Sequence, residues 1–160
     1  MNQREFIEHA LLGDKAAIDF VVKLFNISQI FDDLIDKDKP VSDEAIFHSY
    51  WVCLVELPKN PFYIRHAATL IPMMQIFLVD YRDSVILERK QALIENEHGQ
   101  NIAFVLRDSI GSIITHCAYL LGGYEHMTSI SVQVREVIFD ESLEAYKEGL
   151  LCQEVTPPKS

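Results

Sequence analysis

The chain has few of the residues that interrupt or cross-link a fold. Its 160 residues include 6 glycines, 6 prolines and 3 cysteines. Glycine and proline fall at a few junctions, which leaves long stretches free to be helical and, with 49% hydrophobic residues, excludes general disorder. Cys53, Cys117 and Cys152 are odd in number, far apart and without a CxxC pair. That pattern excludes a disulfide framework and a zinc ribbon, and points to free thiols in a reducing cytoplasm. Basic residues are also scarce, 14 against 24 acidic, for a net charge of −10. Such a surface repels nucleic-acid phosphates and anionic membranes, so neither partner is expected and basic ones are favoured. "MNQREFIEH" lacks the apolar centre of a signal peptide, and no uninterrupted apolar run approaches a membrane span. The expectation is a soluble cytoplasmic protein.

What is present is helical periodicity, with apolar residues recurring at three- and four-residue steps. The spacing predicts a short helix over 2–12, ended by Gly13, then a long one from an Asp14 cap to about residue 37, stopped by "DKDKP". Ser42 opens a third, aromatic-rich helix that stops near Pro58. A fourth runs from Phe62 to about 97, bent at Pro72. A fifth covers 101–121 and is closed by Gly122 and Gly123. A sixth is expected over about 129–150, although "SISVQV" at its start alternates as a strand would. The fold class is therefore all-α, a single-domain bundle of five or six helices over 1–160, with a loose tail at about 152–160.

On the second helix, the apolar row Ile18, Val22 and Phe25 continues toward the C-terminus as Gln29, Asp32 and Asp36, with Asp33 at its edge. Carboxylates on a buried stripe have to be protonated, paired with Arg or Lys, reached by water, or bound to a cation. Oxygen ligands one helical turn apart suit Mg²⁺. Asp80, on the stripe of Phe62, His66, Thr69, Met73 and Phe77, is a third inward acid, placed to complete such a site or to pair with Arg65 or Arg107.

The stretch "QIFDDLIDKDKPV", residues 29–41, resembles the first aspartate-rich motif of the isoprenoid synthases, the all-helical prenyl and terpene synthases. The resemblance implies that Asp32, Asp33 and Asp36 bind magnesium ions that hold an allylic diphosphate. "DSIGSIITH" is similar to the family's second motif, with Asp108, Ser112 and His116 in steps of four and His where that motif has Glu. By that likeness Asp108 joins the metal set, while Ser112 and His116 face the substrate. No cluster of Arg and Lys follows DDxxD to grip a diphosphate.

Two other patterns carry less. Glu95 and His98 have the Glu-xx-His spacing of di-iron bundles, but there is no second copy. Glu136, Asp140, Glu144 and Glu148 recur every fourth residue on the expected last helix, a like-charged ridge whose repulsion a basic partner would relieve. Two functions follow: a small acidic binding or assembly module acting through a protein partner or a homo-oligomer, or a magnesium-dependent enzyme handling a diphosphate or phosphate ester.

Overall fold

Helix starts follow capping chemistry. The Asn2 side chain accepts from Glu5 N, and Glu5 reaches back to the Asn2 N–H, a reciprocal capping box at the head of α1 (Gln3–Ala10). Asp14 caps α2 (Lys15–Asp36) through Ala17 N, and Lys37, left-handed at φ 56°, closes it. Ser42 caps α3 (Asp43–Trp51), which has Asp43 and Glu44 in its first turn, where the helix dipole favours acids.

In the computed structural model, which describes residues 1–90 and 97–155, the chain is an all-α single-domain bundle with no strand among the described residues. From α3 the backbone passes through a π-helical turn, Val52–Glu56, and a 3-10 turn, Leu57–Lys59. Next come α4 (Pro61–Lys90), α5 (Glu97–Arg107), α6 (Ser109–Ile138) and α7 (Leu143–Val155). Buried Asn60 joins two elements. Its amide donates to Ala16 O and to Asp19 of α2, while its Oδ1 accepts from Tyr63 N at the start of α4.

α4 continues through Pro72 as one helix and packs on α2, α5 and α6. The core is built from Phe6 and Leu11 at the N-terminus, Phe20 of α2, Leu70 of α4, and Ile113 and Ile114 of α6.

Gly123, at φ 74° and ψ −170°, breaks the helical path within α6. Arg135 nonetheless touches Asp108 at 2.7 Å and Ser112 at 3.0 Å. In a straight helix, 27 residues would separate them by about 40 Å, so the two arms of α6 fold back side by side at the glycine pair. Both glycines are required. A Cβ on Gly122 would lie 2.6 Å from the His126 ring, and Gly123 occupies a backbone region hostile to L side chains. His126 Nε2 lies 2.8 Å from Ala10 O, which fastens this turn to α1.

Three expectations need correction. The helix expected over 101–121 begins earlier, at Glu97, and is divided at Asp108, where ψ is 1°. The expected last helix is interrupted at residues 139–142, so the acidic ridge is not one helical row. Phe139, its ring tilted against Phe104 at 4.8 Å, leaves helical geometry, and Ser142 caps a new start through Ala145 N. α7 includes 152–155, which belonged to the expected loose tail. The "SISVQV" stretch is helical. The end of the fourth predicted helix, at 91–96, and Glu95 with it, lies outside the described residues, as does 156–160.

Candidate functional site

The inward acids of α2 meet a guanidinium. Arg107, the last residue of α5, places Nη2 at 2.8 Å from Asp32 Oδ1 and 3.1 Å from Asp36 Oδ2, and Nη1 at 2.8 Å from Glu88 Oε1 of α4. Two phenols complete the cluster. Tyr81 donates to Asp32 at 2.6 Å and Tyr146 of α7 donates to Glu88 at 2.7 Å, while the Tyr146 ring lies under the guanidinium, 5.6 Å from its centroid. One cation thus joins α2, α4, α5 and α7.

Burial and charge oppose each other here. Glu88 is 7% exposed and Arg107 16%. Burial pushes the Asp36 and Glu88 carboxyls above their ordinary values, and the Arg107 charge offsets part of that rise. Burial also works against the guanidinium, but Glu88, Asp32 and Asp36 outweigh it and hold Arg107 above its ordinary value. Burial and the bond to Asp32 raise the Tyr81 phenol.

The other residues singled out for a metal or a substrate are placed elsewhere. Asp33 accepts from Gln29, and Asp80 accepts from the Ser109 hydroxyl. Asp108 binds Arg135, which also reaches Ser112 across Gly111, where a Cβ would lie 2.8 Å from Arg135 Nη1. His116 lies beside Tyr119, and burial, with His66 nearby, lowers its imidazole below the ordinary range. Among the described residues no group of three or more His, Cys, Asp or Glu is placed to hold a metal ion. Asp32, Asp36, Asp80 and Asp108 are divided among three networks, and the oxygens that would ligate magnesium face a fixed positive charge.

A different surface is left unsatisfied. Phe47, Tyr50, Trp51 and Leu54 are more than half exposed along α3 and the π-helical turn, and Ile64, Ile71, Ile76 and Leu78 are more than half exposed on α4. Between these elements, over α2, runs an apolar groove of about 240 Å³ lined by Leu24, Phe31, Cys53, Leu57, Met74 and Leu78. Cys53 and Leu57 line one wall and Met74 and Leu78 the other, so the groove lies between the α3 face and the Leu78 side of α4. Residues Pro61–Arg89 of α4 are long and apolar enough, by length and composition, to cross a membrane. The acids Glu136, Asp140, Glu144 and Glu148 are also exposed, but they are spread over the second arm of α6, the 139–142 link and α7.

Sequence reasoning turned Asp32 and Asp36 inward but did not identify Arg107, Glu88 or Tyr146 as their neighbours. The available signal was the need of a buried acid pair for a cation; Arg107 was expected, with Arg65, as a partner of Asp80, which instead accepts from Ser109. The apolar face was legible in the aromatic run "AIFHSYWVCLVEL", which is richer in large apolar groups than one buried stripe can use. No protein-family model matches the chain, and neither the curated proteins nor the solved structures compared with it include a match.

Proposed function

We propose that this chain is a helical assembly module that works by protein–protein contact, with the apolar face of α3, the π-helical turn and α4 as its docking surface. One observation supports the reading above the rest. Seven large apolar side chains, Phe47, Tyr50, Trp51 and Leu54 on α3 and the π-helical turn and Ile64, Ile71 and Leu78 on one side of α4, stand more than half exposed, whereas the largest apolar patch on a monomer is typically about 300–600 Å². Leaving such side chains in water costs on the order of 1 kcal/mol or more each, and a partner removes that cost. The acidic surface, at net −10, keeps the chain soluble and rejects acidic partners. Glu136, Asp140, Glu144 and Glu148 offer a basic partner a second, weaker contact.

Magnesium-dependent handling of a diphosphate or phosphate ester is the second reading. The DDxxD spacing of Asp32, Asp33 and Asp36 supports it, and Arg107, already bound to Asp32, Asp36 and Glu88, opposes it.

A photo-crosslinking residue placed at Ile71 tests the first reading in the cells the chain comes from. It is expected to form a covalent protein adduct, lost when Leu78→Glu is added and retained when Glu144→Lys is added, with helicity unchanged throughout. A crosslinker that reacts only with solvent at Ile71, and likewise at Leu54, would overturn the reading.

A further inference from the structure

The outward side of α4 has a period that its own fold does not use. Ile64, Ala68, Ile71, Gln75, Leu78 and Arg82 are all exposed and follow one another at alternating steps of four and three. That spacing is the 3.5-residue repeat of a seam between two helices, on a helix whose inward positions Phe62, Leu70, Phe77 and Ser84 are already buried. The stripe's large apolar residues are placed nearly symmetrically about Gln75, with unlike residues at the positions between them. Ile71 and Leu78 flank Gln75, Ala68 and Arg82 come next, and Ile64 and Ile86 lie outermost.

We infer that the partner on this face is a second copy of the chain, with the two α4 helices antiparallel across a two-fold axis at Gln75. This rests on the docking surface proposed above and names its occupant. A two-fold interface requires a surface complementary to itself, and apolar residues placed nearly symmetrically about the stripe's midpoint meet that requirement. Gln75 faces its own copy on the axis, where two side-chain amides can exchange hydrogen bonds. Ile71 meets Leu78, and Ile64 meets Ile86.

The polar positions match as well. Pro72 has no N–H to donate to the Ala68 carbonyl, so that acceptor is released on the exposed side of the helix. In the antiparallel pair, Arg82 of the second copy stands opposite small Ala68. In the single chain Arg82 is 71% exposed and bonds Asp83 at its side, so its fork is available to a carbonyl facing it.

The α4 seam itself, through the exposed parts of Ile64, Ile71, Leu78 and Ile86, offers a few hundred Å². Phe47, Tyr50 and Trp51 of α3, at about 150–250 Å² for a whole aromatic side chain, lie across the groove and supply the further area needed to approach about 800 Å² per partner in a stable interface.

The test uses the purified full chain. Sedimentation is expected to give twice the 18.4 kDa monomer mass, and Ile71→Glu to return it to one. Under mild oxidation in the presence of a Cys53→Ser, Cys152→Ser background, Gln75→Cys is expected to form a disulfide-linked dimer. Ile64→Cys alone should not link, but should do so when mixed with Ile86→Cys. Self-linking of Ile64→Cys would show parallel helices and overturn the antiparallel pairing. A monomer without Gln75→Cys linkage overturns the second copy as partner, and so does flotation of the wild type with neutral phospholipid vesicles in place of dimerisation. A monomer in solution whose Ile71 still crosslinks a protein in cells defeats this inference alone; loss of both defeats the docking face itself.

Discussion

The Arg107 cluster and the outer stripe of α4 take different sides of the same helix and differ in what they leave open. At the cluster, every charged group has found its counterpart within the chain: three carboxylates, one guanidinium and two phenols close on one another across four helices. On the stripe, large apolar groups face solvent with nothing among the described residues to cover them. An isolated buried charge costs far more than an exposed methyl group, so a single chain has to resolve the first within itself and can leave the second to a partner. The cluster is therefore read as architecture and the stripe as the proposed docking face. Changes at the cluster should alter stability without altering association, and changes on the stripe should do the reverse.

The sharpest way to break that division is Arg107→Met. It leaves Asp32, Asp36 and Glu88 facing one another in a partly buried site, and removing one partner of a buried ion pair costs about 3–5 kcal/mol. Denaturant unfolding at neutral pH is expected to show a loss of that order, with Arg107→Lys intermediate because an ammonium cannot bridge two carboxylates as a fork does. A loss well under about 1 kcal/mol would mean that water already serves the acids as it does surface pairs, and the cluster would then have no claim to hold the bundle.

Much of this arrangement can be read from residues alone. Asp14, Ser42 and the pair Gly122–Gly123 mark their helix ends by local chemistry, and each does in the structure what its type predicts. The inward turn of Asp32 and Asp36 follows from helical geometry. The identity of their partner does not, because Arg107 lies 75 and 71 positions away and only the packing of α5 on α4 brings it close. The break at 139–142 was hidden for a related reason. No glycine or proline marks it, and Phe139 leaves the helix where its ring meets Phe104 and where Tyr146 also packs on Phe104. The near-symmetric placing of apolar residues on the α4 stripe is plain in the sequence, but their exposure becomes visible only once the opposite side of the helix is seen to be buried.

A smaller effect comes with pH. Asp36 and Glu88 are raised above ordinary values of 3.8 and 4.5, so the native state holds their protons more tightly than the unfolded chain does. Their contribution to stability is fully present below those ordinary values and is lost as pH rises through the folded-state values. His116, lowered from 6.5, has the opposite sign: its contribution is present above 6.5 and falls as pH drops through the folded-state value. The comparison is best made in His116→Gln. There, acidification from neutral is expected to stabilise the parent more than it stabilises the Asp36→Asn, Glu88→Gln double variant, as read from melting temperatures across the range. Parallel curves would show that burial of the two acids carries no penalty.

The smallest expected response is to magnesium, and it bears directly on the boundary between the two regions. An ion held by Asp32 and Asp36 would have to approach carboxylate oxygens that already lie 2.8 and 3.1 Å from a guanidinium nitrogen, against a positive charge the protein cannot discharge. Mg²⁺ reluctantly gives up its waters and does best with carboxylates free to turn toward it. Equal, near-zero shifts in melting temperature on adding Mg²⁺ or Mn²⁺ are therefore expected for the wild type and for Asp32→Asn with Asp36→Asn. A clear rise in the wild type alone would require Arg107 to swing away when metal arrives. The cluster would then be a ligand site held shut by its own arginine, and the division between an architectural interior and a functional surface would fail at the residues that most resemble an isoprenoid synthase motif.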